Sequence, residues 1–335
     1  MSGHGYQARN AMRPESLGFP VVAVSKYAAP GGVARTRLSR LASLHLAAFL
    51  ALLALDRAGA PLGGSVATLA ACAMILLFGL PHGALDLELI KRERGTGRLG
   101  MSAVLVLYLA LAAAMASVWH LVPVAALAMF MVVAVIHFAE DWPELRSNFL
   151  AQGMAIAMLS APTLLHLAEL KILFEALSGR GETALVADLM LLLAPMSLGV
   201  AMVSIWTLWR RNSQEQAVVG AVALVGMISL PPVIGFVLFF CLAHSPRHLR
   251  MAMGRMAWAP SAPRIIALVT CAALGITAAL FAGQERAQLS AQMVAASFMT
   301  LSLLTVPHML VPVVIDVLAA RRRGTAATME QANRR

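Results

Sequence analysis

Histidine recurs in this sequence one helical turn away from a second polar residue. His82 precedes Asp86 by four positions within Gly79-Leu80-Pro81-His82-Gly83-Ala84-Leu85-Asp86, and His137 precedes Asp141 by four. His244 and His248 are also four apart, and Pro307-His308 is followed by Asp316. Residues at that spacing share one face of a helix. Neutral imidazole is a common ligand for iron, zinc and copper, and its second ring nitrogen usually donates to a carboxylate or carbonyl. The spacing therefore suits Asp86 and Asp141 to orient His82 and His137, with Glu88 and Glu140 as spare carboxylates. No cysteine joins the set, since Cys72, Cys241 and Cys271 lie in apolar runs at no metal-like spacing. That argues against a structural zinc or iron–sulfur site. An all-nitrogen donor set with open positions suits oxygen chemistry at iron.

The elements that must position these residues are membrane helices. Sixty per cent of the 335 residues are hydrophobic, 13% are charged, and the mean hydropathy is +0.78. A soluble chain of this length cannot bury so much apolar surface. Abundant Ala, Leu and Met favour helices over barrel strands. The expected fold is all-α: a polytopic membrane helical bundle of eight to ten transmembrane helices. Apolar runs fall near 41–55, 64–82, 99–119, 124–139, 149–166, 185–209, 217–230, 233–248, 263–283 and 289–318. The seventh and eighth meet at Pro231-Pro232, where a helix must break or turn. Residues 167–184 set Glu169, Lys171, Glu175 and Glu182 among Leu, Ile and Phe, a pattern expected of an amphipathic helix on the outer surface.

Charge orients the bundle. With ten spans and the N-terminus inside, 22 of the 26 Lys and Arg fall on the cytoplasmic side, and only Arg57, Lys171, Arg180 and Arg286 fall outside. Basic loops face the cytoplasm, so both termini are expected there, in a multi-pass protein of the cell (inner) membrane. The net charge of +10 reads as this loop charge, with no nucleic-acid partner. Three regions follow: a basic disordered tail over 1–40, the membrane domain over 41–320, and a disordered C-terminal tail over 321–335.

This topology sorts the histidines by depth. His82, His137, His244, His248 and His308 reach the cytoplasmic ends of four inward-going spans, whereas His120 and His166 fall at the outer surface, His45 in the first span and His4 in the tail. A histidine standing alone at a membrane interface is usually an amphipathic side chain near water, which is the reading for His45, His120 and His166. Ionisable groups gathered at one depth in a bundle are costly and mark function. Proline accompanies the cluster at Pro81, Pro246 and Pro307. Ser245-Pro246 either continues a kinked span or begins a new helix as N-cap and first residue.

At these residues the chain resembles the Brp/Blh family of β-carotene 15,15′-dioxygenases, integral membrane enzymes tied to microbial rhodopsins. The resemblance rests on Pro81-His82-Gly83 with Asp86, His137-Phe138 with Asp141, His244-Ser245 with His248, and Pro307-His308-Met309, which together span most of the chain. Two departures are Ala139, where glycine is expected, and the basic 40-residue N-terminal tail. The resemblance implies iron(II), Fe(2+), held by His82, His137, His244 and His248, with Asp86, Asp141 and His308 as supporting or pocket residues. It further implies that O2 splits the central double bond of β-carotene into two molecules of all-trans-retinal, with membrane lipid around the enzyme and hand-over of retinal to a rhodopsin.

Two other functions fit the sequence less well. A two-iron desaturase or hydroxylase needs several HxxxH and HxxHH boxes, and only one HxxxH is present. A metal or proton transporter wants ionisable groups at several depths. A carotenoid is about as long as the hydrocarbon core is thick, roughly 30 Å, so an upright molecule would centre at mid-membrane. With the histidines near one face, the bound carotenoid is expected to tilt or lie across the protein, entering sideways from lipid.

Overall fold

A computed structural model describes residues 39–84, 98–178, 181–256 and 286–333, together with residues 90, 267 and 271. The described chain is helical throughout, with no strand among the described residues. The helices are α1 (Arg40–Arg57), α2 (Ser65–Ala84), α3 (Arg98–Leu121), α4 (Pro123–Ala139), α5 (Asn148–Ser160), α6 (Thr163–Ser178) and α7 (Ala184–Arg210). They continue with α8 (Gln214–Ser229), α9 (Pro232–Phe239), a π-helical turn (Phe240–His244), α10 (Ser245–Met256) and α11 (Arg286–Asn333).

Among the described residues four stretches are long and apolar enough to cross a membrane: 100–121, 181–210, 232–251 and 290–315. A bent pair, α5 with α6, makes a fifth if it is one span, and 65–79, 123–139 and 214–229 are shorter apolar helices. The expected span at 263–283 and the N-terminal tail lie outside the described residues, apart from isolated positions. The span over 232–251 is the central one, 56% buried, whereas the 100–121 span is 11% buried and turns most of its surface outward. Leu189, Leu192, Met196 and Trp206 of α7 are likewise exposed, as befits a lipid-facing stripe.

Small residues let the helices approach. A Cβ on Gly153 of α5 would lie 2.2 Å from Val200 Cγ1 of α7, so only glycine fits there. Around it Ala151, Ala155, Ala157, Ala187, Ala194 and Ala201 are buried. Without a hydrophobic drive between helices in lipid, such close packing and interhelical hydrogen bonds supply the cohesion. Ser160 Oγ meets Ser197 Oγ at 3.0 Å, and Ser204 Oγ donates to the Leu150 carbonyl at 3.1 Å, both between α5 and α7. On the other side of the bundle Trp119 Nε1 of α3 donates to Ser302 Oγ of α11 at 2.8 Å.

The chain breaks at Pro231-Pro232 as its sequence predicts: Leu230 is extended, and α9 starts with Pro232 in its first turn. The fifth expected run divides differently. It ends at Ser160, turns by 67° at Ala161-Pro162, and resumes as α6 from Thr163. Pro162 lacks the amide that a continuing helix would use, which moves the break ahead of the polar residues that suggested a boundary near 167.

Candidate metal centre

Each cluster histidine sits near the end of its helix for a local reason. His137 is in the last turn of α4, which stops at Ala139 when the chain tightens: the amides of Glu140, Asp141 and Trp142 bond to the carbonyls of His137, Phe138 and Ala139. His244 closes the π-helical turn, and Ser245 continues it with right-handed helical angles (φ −60°, ψ −43°), so Ser245-Pro246 does not begin a separate helix. A wide turn just before Pro246 accommodates the amide that proline lacks, and π turns of this kind recur at functional sites. The His244–His248 helical spacing therefore survives, with ring centroids 4.5 Å apart.

Four imidazoles converge. His137 lies with its ring 4.8 Å from His244, 4.8 Å from His248 and 5.1 Å from His308. One nitrogen from each of His137, His244 and His248 can be chosen so that all lie within 4.8 Å of one another. His137 and His244 are buried, and Phe138, Phe239 and Phe240 pack around His244.

Asp141 lies just beyond the end of α4 and reaches two histidines of the other segment. Its Oδ2 accepts from His244 Nδ1 at 2.7 Å, and its Oδ1 lies 3.2 Å from His248 Nε2. Burial alone would raise this carboxyl, but the two imidazoles outweigh burial and hold it well below the usual carboxylate range. An ionised Asp141 accepting from Nδ1–H fixes the His244 tautomer and leaves the Nε2 lone pair for a metal. Glu140 lies with its Oε2 3.4 Å from His137 Nδ1.

The second expected box is only partly placed. His82 is in the last turns of α2, its side chain outside the described residues, and Asp86 lies outside them altogether. The α2 backbone one turn before His82 is pinned beside the cluster. Ser245 Oγ donates to the Phe78 carbonyl, and Cys241 Sγ to that of Met74 at 3.5 Å.

The remaining histidines separate from this group. His120 is exposed and His166 pairs with Glu169 at 3.1 Å. His45 departs from its reading as a surface group near water, because it is fully buried in α1 with neither ring nitrogen hydrogen-bonded. Apolar context in one helix did not reveal that α8 covers that face.

An apolar cavity leads away from the cluster. His137, Phe130, Met131 and Ala134 of α4 line it, with Phe236 and Phe240 opposite and Phe298, Leu301 and Thr305 along α11. An oily cleft that ends on convergent imidazoles is the usual form of a site for an apolar substrate at a metal.

The sequence over residues 73–316 matches the family model described as beta-carotene 15,15'-dioxygenase. The chain belongs to that family. A relative of that same name from uncultured marine bacterium 66A03 is 29% identical over 265 residues, which covers 72% of this chain and 90% of the relative. No solved structure matches this chain. The matched segment takes in all four histidine boxes, so the cluster of His137, His244, His248 and His308 lies inside the family's core. The donor chemistry fits a metal: buried nitrogens close enough to share one ion, with an anionic carboxylate behind two of them.

Proposed function

We propose that this membrane protein cleaves the central 15,15′ double bond of β-carotene with O2, giving two molecules of all-trans-retinal at an iron(II) centre. The observation that carries the reading is the meeting, at His137, of a four-imidazole cluster with an aromatic, apolar cavity. His137, His244 and His248 would hold the iron with His82 as a fourth ligand, while His308 lines the site. Neutral donors leave the metal's charge uncancelled, so bound iron(II) would activate O2 and stabilise negative charge developing on oxygen. The chain's own task is positioning and exclusion of water: the phenylalanines and methionines hold the polyene against the imidazoles, and Asp141 keeps His244 in one tautomer. Both oxygen atoms end in the two aldehydes, so no other oxidant is needed.

The protein would sit in the cell (inner) membrane as a multi-pass bundle of eight to ten spans with both termini cytoplasmic, as its charge asymmetry supports. Carotenoid would arrive from lipid, and retinal would pass to a rhodopsin. Expression in β-carotene-making cells tests the activity: orange colour is lost and retinal appears. Replacing His82, His137, His244 or His248 by Ala should prevent both changes, while His120→Ala and His166→Ala should not. Equal damage from inner and outer replacements would overturn the site.

A further inference from the structure

The cavity has a measurable depth. Its lining begins at Phe130 on α4, Pro232 on α9 and Phe298 on α11. Followed along the chain from there, α4 reaches the cluster at His137, α9 and the π turn reach it at His244, and α11 reaches it at His308 before continuing to Asn333. With about 1.5 Å of rise per residue these offsets amount to about 10, 18 and 15 Å. Leu170, Leu173 and Phe174 of α6, and Met190 of α7, add a further wall. That wall is firmly held, since Phe174 is buried and its carbonyl accepts from Thr183 Oγ1 at 2.9 Å. The turn at Ala161-Pro162 swings α6 to the place where it can form this wall.

A two-ringed carotenoid about 30 Å long has its central double bond about 15 Å from either end, the terminal ring included, close to the depth of the cavity. We propose that Leu170, Leu173, Phe174 and Met190 form a stop for one terminal ring, so that the site cuts at a fixed distance from that ring. This rests on the carotenoid-cleaving reading above and adds a rule for which bond is chosen. The half in the cavity runs along the helices, and the other half turns aside past the imidazoles into lipid. The cavity is narrow, about 70 Å³, so ring entry requires lining side chains to rotate. Met131, Met190 and Met227 supply unbranched chains that adapt in this way. No charged or hydroxyl side chain lines the stop, so a hydroxylated ring would bury its hydroxyl unpaired and is disfavoured.

Measuring from a ring and centring on the molecule give the same cut for β-carotene but different cuts for a shorter, one-ringed substrate. The full-length protein, purified with iron(II), is therefore given the thirty-carbon β-apo-8′-carotenal and O2, and the products are separated by chromatography. The expected result is retinal with a ten-carbon dialdehyde; a cut at the middle of the thirty-carbon chain would overturn the stop. Phe174→Ala lengthens the cavity and should shift part of the ring-bearing product to the twenty-two-carbon aldehyde. Met190→Phe shortens it and should shift part to the eighteen-carbon ketone. In each case the double bond and the O–O bond break, and each carbon keeps one oxygen. Phe174→Leu replaces Phe174→Ala if the latter loses wild-type elution. Retinal as the sole ring-bearing product from all well-folded variants, or shifts in one direction, would overturn the stop while leaving cleavage intact. A wild type that yields no aldehyde from β-carotene either would overturn both readings.

Discussion

Glu144 and Arg247 lie 2.7 Å apart and join the same two segments that Asp141 and His244 join three residues earlier on each side. The two links run in parallel between the end of α4 and the start of α10. Arg247 also donates to Gln216 of α8, and Arg211 donates to the carbonyls of Glu144 and Leu145, so the loop that carries Asp141 is held from α10 and from the end of α7. Arg247 is next to His248 in the chain, so the pair ties the segment that carries that imidazole to this loop. The pair is partly open to solvent, which limits its worth to about 1 kcal/mol, or about fivefold in an equilibrium constant.

Arg247→Ala should consequently lower retention of bound iron or cobalt by about fivefold while changing thermal stability little. Exchanging the charges as Glu144→Arg with Arg247→Glu should restore part of the loss, read by metal competition in a double-mutant cycle. Additive losses in that cycle would show that the pair does not act as a unit.

Asp141 is the more demanding residue because it is buried and touches two imidazoles. Asp141→Asn keeps the shape but removes the charge, and its amide leaves only one oxygen for the two imidazoles, so His244 Nδ1 or His248 Nε2 meets an NH2. Metal affinity should fall by about 10- to 100-fold, as for other carboxylates behind ligating histidines. Glu140→Gln, one residue earlier and half-buried against His137, should cost clearly less. Metal titration of the two variants side by side decides whether Asp141 orients the cluster.

Much of this centre could be read from the chain before its fold. Hydropathy placed the helices because lipid demands about 20 apolar residues per crossing, and charge asymmetry put the recurring histidines at one depth. The imidazoles of His137, His244, His248 and His308 meet as that depth argument requires. Periodicity reaches only along one helix. It set Asp141 one turn from His137, but the contacts of that carboxylate to His244 and His248 arise from tertiary packing beyond the end of α4 at Ala139. Likewise nothing local distinguishes a lipid-facing His45 from a buried one, since that depends on which helix packs beside it. The bend at Pro162 went unread within an apolar run that continues to 166, and its consequence, a wall for the cavity, arises only when α6 meets α7 and α11.

His308 can be separated from the ligands. A three-nitrogen set is already complete in His137, His244 and His248, and His308 stands beside it with its ring 5.1 Å from that of His137. His308→Ala should leave metal content near that of the wild type and reduce turnover, while His244→Ala should lose the metal. Elemental analysis of the purified proteins distinguishes the two, and parallel loss of metal would make His308 a ligand.

The last prediction concerns the frame on which the cavity is hung. Gly153 faces Val200 so closely that an added Cβ would lie 2.2 Å from a methyl group, and this contact holds α5 to α7 immediately before the bend that sends α6 across the cavity. Gly153→Val must push the two helices apart. Overpacking of this kind costs about 1–3 kcal/mol, and here it also strains the Ser160–Ser197 contact one to two turns further on. The variant should melt at lower temperature in detergent. Gly153→Val paired with Val200→Gly, which exchanges the volumes, should recover most of the loss. Because α6 is carried by α5, a folded Gly153→Val protein should also bind carotenoid more weakly than it binds metal, measured by substrate absorbance and metal titration on the same sample. Equal loss of both would mean that the α5–α7 contact supports the whole bundle rather than the cavity.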